Sequence, residues 1–402
     1  MEQYVQMKDS GVNWILDIPS TWNVRVLFQL ADQVKNKNKD LSEQNLLSLS
    51  YGKIKRKDIN NPEGLLPESF DGYNIIEADD IVLRLTDLQN DHTSLRVGQA
   101  KERGIITSAY TTLRPSVHVN PQYLYYVLHA YDLIKGFYGM GAGVRQGLNY
   151  DEVKTIKVPF PSDEEQKCIV AYLDDQVSQI DAIIEDAQSS IETYKKWKLS
   201  TIKEAVTRGI DPNTSMRASN IDWIGDIPAS WQLIKVKRVV RIENGSDPKS
   251  EGDIPVYGSG ADSFRTCGEY KEGPTVLLGR KGATLHIPHY IEGKYWNVDT
   301  AFNVVVINDK VDLKYFYYVA ICFDYPAYRS QTTLPSMTQT NYNNMKIPYP
   351  DIKTQRRIAE HLDEKVKIID EIIDEKESLI ADLEMFKRSL IYEAVTGKRK
   401  VV

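Results

Sequence analysis

The chain has 402 residues, 42% hydrophobic and 26% charged, which excludes a disordered polymer and leads us to expect two or more folded domains. Fifty Lys and Arg stand against 56 Asp and Glu, a net charge of −6, so global charge offers no argument for nucleic acid. No apolar run approaches roughly eighteen residues, Met1–Ser10 lacks a signal-peptide profile, and Cys168, Cys267 and Cys322 form no CxxC pair; a cytoplasmic chain with reduced cysteines and no bound metal is expected.

The chain opens on Trp14-Ile-Leu-Asp17-Ile-Pro19-Ser-Thr-Trp22, and the pattern returns 209 residues later as Trp223-Ile-Gly-Asp226-Ile-Pro228-Ala-Ser-Trp231. We read these tryptophans as packing anchors that join a globule to a stem rather than as base stackers. The segment Asn23–Asn149 follows, a mixture of α and β with many turns. Its densest basic cluster, Lys53-Ile-Lys55-Arg56-Lys57, reads as a loop. A β-rich run then ends on Ile81-Val-Leu-Arg84, and the aromatic stretch Pro121–Leu128 reads as a short packed helix. Gly139-Met-Gly141-Ala-Gly143 reads as a flexible turn and not as a phosphate cradle.

Val158-Pro-Phe-Pro161 opens a long run, which returns 189 residues later from Ile347-Pro-Tyr-Pro350. Asp163–Thr207 and Ile352–Thr396 agree at 18 of 45 positions. Ile169, Leu173, Val177, Ile180, Ile184, Ala187, Ile191 and Tyr194 follow alternating steps of four and three, with one irregular step at the start. So do Ile358, Leu362, Val366, Ile369, Ile373, Lys376, Ile380 and Leu383. Neither run contains Pro or Gly, and Gly209 and Gly397 are expected to stop the two helices. Each would span about 67 Å, and the simplest partner for so narrow a seam is the other helix. Lys376 is the weak point, though its stem can lie along the seam while the ammonium reaches water.

Between the helices, Thr275-Val-Leu-Leu-Gly-Arg280-Lys281-Gly282 again delivers a β-rich run onto an arginine, and Asp312–Val319 reads as another short helix. Asp163–Thr207 carries 5 basic and 10 acidic residues and Ile352–Thr396 carries 8 and 11, whereas Asn23–Asn149 has 15 and 14 and Gln232–Ile347 has 14 and 12. The acidity therefore belongs to the helices, and each variable segment is free to present a basic face.

Catalytic motifs are weak. No Pro-Pro dipeptide occurs, as an exocyclic-amine methyltransferase motif would need, and no Walker sequence occurs. Pro350-Asp351 with Asp363-Glu364-Lys365 or Asp374-Glu375-Lys376 imitates a nuclease motif, but residues two apart on a helix diverge by about 200°, so a solvated helix face is the plainer reading. The histidines show no zincin spacing, and His286 and His289 read as surface loop residues.

The paired Asp-Ile-Pro-x-[Ser/Thr]-Trp signatures, Gly279-Arg280-Lys281-Gly282 followed by Trp296-Asn-Val-Asp299-Thr-Ala-Phe, and Pro-aromatic-Pro with Gln166 or Gln355 before a long helix ending Glu-Ala-Val-Thr resemble the specificity (S) subunit of type I restriction-modification systems, the HsdS family. The resemblance covers nearly the whole chain. It implies an α+β protein with an internal pseudo-twofold repeat: two mixed α/β target recognition domains separated by two long helices forming an antiparallel coiled coil. The expected boundaries are 1–158, 159–210, 211–347 and 348–402. It further implies a non-catalytic reader of a bipartite, asymmetric double-stranded DNA target. That reader would direct adenine methylation by two methyltransferase (M) subunits and cleavage by restriction and motor (R) subunits, with no membrane partner. No cofactor is expected in this chain; S-adenosylmethionine, ATP and Mg are expected in the partners.

Base-edge reading needs Arg and Lys for guanine, Asn and Gln for adenine, and hydroxyls for phosphate or base. The candidates in the first segment are Lys53, Lys55, Arg56, Lys57, Arg84, Arg103, Arg145 and Gln146. In the second they are Tyr257, Ser259, Arg280, Lys281, Thr284, Arg329 and Gln331, with Arg280 and Lys281 the best placed. A structural scaffold whose globules bind proteins is the alternative reading, and a self-contained nuclease rests only on the imitation above.

Overall fold

The computed structural model describes residues 4–60, 69–140, 147–260, 262–307, 309–330 and 334–401. They form two units, Met1–Asp186 with Ser378–Val402, and Ala187–Glu377. The first runs β1 (Met7–Asp9), β2 (Asp17–Pro19), β3 (Asn23–Val26), β4 (Ala31–Gln33), β5 (Leu47–Ser50), β6 (Lys53–Arg56), β7 (Asn74–Ile76), β8 (Ile81–Leu83), β9 (Val97–Gln99), β10 (Gly104–Ile106), β11 (Thr111–Pro115), α1 (Pro121–Leu133), α2 (Tyr150–Val153), β12 (Lys157–Phe160) and the beginning of α3 (Asp163–Arg208). The second takes the rest of α3, then β13 (Met216–Ala218), β14 (Asp226–Pro228), β15 (Gln232–Lys235), β16 (Val240–Asn244), β17 (Ile254–Tyr257), β18 (Arg265–Cys267), β19 (Lys271–Glu272), β20 (Thr275–Gly279), β21 (His289–Ile291), β22 (Lys294–Asn297), β23 (Ala301–Val306), α4 (Leu313–Ile321), α5 (Tyr325–Tyr328), α6 (Gln339–Asn344), β24 (Lys346–Tyr349) and most of α7 (Ile352–Val395), whose last turns return to the first unit.

Both units follow one plan. The sheet ordered β4-β11-β8-β9 in the first corresponds to β16-β23-β20-β21 in the second. Each variable segment also leaves and rejoins the frame on a two-stranded ribbon, β3 with β12 or β15 with β24. Ile-Val-Leu of β8 and Thr-Val-Leu-Leu-Gly of β20 are buried at every position, as apolar runs covered on both faces are, and the buried Thr275 hydroxyl bonds the Val304 carbonyl at 2.9 Å. The second layers differ. The first unit has the hairpin β5–β6 and the pair β7–β10, whereas the second has a mixed sheet β18-β17-β22-β19.

The long helices begin on side-chain caps. The Ser162 hydroxyl accepts from the Glu165 amide at 3.3 Å while the Glu165 carboxylate accepts from the Ser162 amide, and Asp351 accepts the amides of Lys353 and Thr354. Both runs end where expected, on glycines with φ of +81° (Gly209) and +71° (Gly397), a backbone conformation that L side chains rarely adopt.

Within each unit the helices pair antiparallel. In the first, Arg399 reaches the Tyr172 hydroxyl and Lys387 reaches Asp181; in the second, Lys198 pairs with Asp370 and Arg357 with Asp211. Of the expected seam, Leu173, Ile180, Ile184, Ile191, Leu362, Ile369 and Ile373 are buried, and Val177, Val366 and Ile380 are half-buried. Lys376 is half-buried with its ammonium 6.0 Å from the Tyr194 ring centroid, so an aromatic face receives the charge that the seam could not. Among the described residues no helix is long and apolar enough to cross a membrane.

Candidate nucleic-acid interface

A duplicated set of buried and part-buried hydrogen bonds holds each globule to its helices. Asn120 caps α1, accepting the amides of Gln122 and Tyr123, and its own amide donates to Gln166 Oε1 at 3.1 Å; Gln166 Nε2 donates to the Pro161 carbonyl. In the second unit, Asp312 caps α4 and donates its amide to Gln355 Oε1 at 2.9 Å, and Gln355 Nε2 donates to the Pro350 carbonyl. Tyr123 and Tyr315 donate to the carbonyls of Pro159 and Pro348, both at 3.1 Å, while Tyr126 and Tyr318 donate to Asp174 and Asp363, both at 2.7 Å. Trp22 is fully buried and donates its indole N–H to Glu165 at 2.9 Å, Trp231 is also buried, and Trp14 lies 5.2 Å from the Tyr131 ring. All three are packing anchors.

Of the nuclease-like residues, this frame engages Asp351, which caps α7, and Asp363, which accepts from Tyr318 and Lys314, whereas Glu364, Lys365, Asp374 and Glu375 are exposed on the helix. His289 departs from the expected surface loop. It lies in β21, half-buried, and burial holds its imidazole below the usual pKa.

In the first unit the basic cluster is not a loop, as expected from sequence, but strand β6, paired with β5 so that Ser50 faces Lys53 and Ser48 faces Lys55. The two-residue period separates its members. Ile54 packs on the small core of Leu47, Leu49, Ile76, Val82 and Ile106. Arg56, on the same side as Ile54, is held by Glu102. Lys53 and Lys55 project from the other side with no side-chain partner among the described residues, and Lys53 borders a cleft of about 400 Å³ beside Tyr51, Lys101 and α1. Lys57 is exposed, and its amide donates to the Leu46 carbonyl. Arg103 bridges Glu43, at 2.9 Å, and Glu77, so its charge is already matched. Arg84 is half-buried, its amide bonded to the Arg96 carbonyl and its guanidinium without a partner among the described residues. Arg145 and Gln146, with Gly141 and Gly143, lie outside the described residues.

The second unit brings most of its candidates together. Arg280 donates from Nη1 to the Asp299 carbonyl at 3.2 Å and stands 5.7 Å from the Phe302 ring; the Lys281 ammonium lies 3.7 Å from the Asp299 carboxylate. Gly282, at φ +114°, passes so close to Ser259 that a Cβ would stand 3.0 Å from its hydroxyl. Tyr257 accepts the Val298 amide through its carbonyl, just before Asp299. Thr284 lies in the Arg280–Pro288 connection, where its carbonyl accepts the Ile287 amide. Arg329 is exposed beside Ser330, which bonds Ser336, the bridge partner of Lys281. Tyr257, Ser259, Arg280, Lys281, Thr284 and Arg329 thus lie around the C-terminal end of β20. Gln331 lies outside the described residues.

The likeness between Arg84 and Arg280 is displaced by one residue. Strands β4 and β16 each start two residues after a 3₁₀ turn, and from there the pairings match Leu83 to Leu278, which sets Arg84 opposite Gly279 and Leu85 opposite Arg280. A slip of one residue exchanges faces, so the two arginines do not occupy equivalent positions. Sequence reasoning also missed Arg96, wholly buried, which bonds the carbonyls of Thr86, Asp87 and Asp91. The visible signal was the polar interval between two apolar strands, too long for an ordinary hairpin.

The profile described as type I restriction modification DNA specificity domain matches twice, at residues 19–193 and 228–381. Two proteins of Methanocaldococcus jannaschii are similar. One, named as the type I restriction enzyme MjaX specificity subunit, is 24% identical over 89% of this chain and 88% of its own length. The other, the type I restriction enzyme MjaVIII specificity subunit, is 24% identical over 67% of this chain and 69% of its own length. Among solved structures, a chain from work on assembly and conformational transition of the type I R-M system shares the fold with a TM-score of 0.70 at 14% identity, covering 94% of this chain and 98% of that one. The HsdS subunit from Thermoanaerobacter tengcongensis aligns with a TM-score of 0.50 at 14% identity, over 95% and 98% of the two chains.

Proposed function

Because the chain belongs to the family of type I restriction modification DNA specificity domains, we propose that it is the sequence reader of a type I restriction-modification complex. It binds a bipartite, asymmetric duplex target, one half-site per recognition domain, with residues 1–158 and 211–347 as readers and 159–210 and 348–402 as spacers. The chain supplies no chemistry of its own. Adenine methylation belongs to two methyltransferase subunits and cleavage to restriction and motor subunits, which hold S-adenosylmethionine, ATP and Mg. One observation carries this reading: frames duplicated down to the bonds of Gln166 and Gln355 carry dissimilar polar and cationic side chains at the ends of corresponding strands, Arg84 and its loop after β8 in one and Arg280 with Lys281 after β20 in the other. Like frames with unlike edges are what two different half-sites demand.

The test is a map of methylated adenines in cells with and without the chain. A split motif that vanishes with the chain supports the reading, and an unchanged map would refute it.

A further inference from the structure

The connection from β8 to β9 is a hairpin closed by the direct pair Leu83–Val97, yet thirteen residues separate the two, numbers 84–96. Ordinary hairpin loops have about two to five residues, and a long loop costs conformational entropy unless something holds it. Arg96 does so here. Its wholly buried guanidinium donates from Nη1 to the Thr86 carbonyl at 2.9 Å, from Nη2 to the carbonyls of Asp87 (3.3 Å) and Asp91, and from Nε to the Tyr138 hydroxyl at 3.1 Å. Tyr138 in turn donates to the Asp91 carbonyl at 2.9 Å and stacks on His92, whose carbonyl accepts the Lys135 ammonium. A buried guanidinium is tolerated only when its donors are matched, so the loop backbone and the arginine define each other's position.

The loop's acids are engaged internally. Asp91 accepts the amides of Thr93 and Ser94 and pairs with Arg96, and Asp87 accepts from the Asn90 amide group. Leu88 is buried as an apolar anchor. Left exposed at the tip are Gln89 and Asn90, followed by His92 and Thr93. The Gln89 side chain has no partner among the described residues, and Asn90 keeps its carbonyl oxygen and one N–H. The corresponding connection in the second unit, from β20 to β21, also buries one leucine, Leu285, and carries Arg280, Lys281 and Thr284.

We propose that the 84–96 loop is a base-reading element of the first recognition domain, that Gln89 with Asn90 reads adenine, and that Arg96 is its positioning residue. This rests on the DNA-reading function above. Carboxamides offer the donor and acceptor pair that matches adenine N7 and N6 in the major groove. Holding the loop in advance removes the ordering cost that a mobile reader would meet on binding.

The test uses the chain assembled with its methyltransferase subunits, measuring methylation of duplexes that differ by single base pairs. Gln89→Ala or Asn90→Ala is expected to lower discrimination about tenfold or more at one A·T pair of one half-site and to leave the other half-site unchanged. Arg96→Lys and Tyr138→Phe are expected to change the preference at that same pair. A merely structural role would slow all duplexes alike, and if Arg96→Lys fails to fold, Tyr138→Phe carries this arm. Unaltered base preference at every position in both Gln89→Ala and Asn90→Ala would overturn the proposal. A wild-type complex without any sequence preference is a different result, which would remove the DNA-reading function itself.

Discussion

Arg280→Ala is the most direct probe of the second reader. The guanidinium commits Nη1 to the Asp299 carbonyl at 3.2 Å, and the side chain is half-buried against Phe302. The rest of its donor fork remains for a ligand. Losing one partly exposed internal hydrogen bond should cost the fold about 1 kcal/mol. Losing a bidentate contact to guanine O6 and N7 should cost about 1–3 kcal/mol of discrimination at one base pair, or about five- to 150-fold. A phosphate contact would behave otherwise, with affinity falling for all sequences together and the salt slope shrinking by about 0.9. Affinities of the reconstituted complex for single-base variants, measured across a salt series, separate the two. Lys281, whose ammonium is drawn toward Asp299, is expected to follow the phosphate pattern. Arg280→Ala with unchanged affinity, specificity and salt slope would refute the reasoning.

Exchanging residues 23–149 for the corresponding segment of another reader should change one half of the methylated motif; a change in both halves, read by genome-wide methylation mapping, would contradict independent readers. Gln166→Met and Gln355→Met each strand a buried cap amide and a proline carbonyl, so urea unfolding should show a loss of about 2 kcal/mol, and a loss below about 0.5 kcal/mol would show that the pair does not hold the frame. His129 provides a pH signature. Burial, with Lys387 and Arg388 nearby and Asp181 opposing them, lowers its pKa from 6.5 to about 4, so the unfolded chain binds the extra proton and stability falls as pH drops from about 6.5 through about 4. Between pH 7 and 4.5 this amounts to roughly 2 kcal/mol. Asp132, pushed up to about 6 by burial, acts in the opposite sense, since its protonation favours the folded state as pH falls. His129→Gln removes only the first effect and should flatten the acid slope of unfolding by that amount; an unchanged slope would count against it.

The sequence by itself determined the duplicated frame. Apolar steps of three and four, uninterrupted by Pro or Gly and closed by Gly209 and Gly397, are local instructions that one helix carries in its own order of residues, and the repeated Trp, Pro-aromatic-Pro and Gln signatures marked where each globule joins. Which side chains are free to meet a ligand was decided only in three dimensions. Arg56 and Arg103 looked as available as Lys53 and Lys55 until strand pairing brought Glu102, Glu43 and Glu77 against them. Arg84 looked equivalent to Arg280 until the register set them one residue apart. Arg96 carried no signal of its own in the sequence, and folding buried it beneath the loop it shapes. The physical reason is common to all three cases: periodicity acts over neighbours in the chain, whereas the partners that neutralise, displace or bury a charge are 5 to 60 residues away and arrive only when the sheet closes.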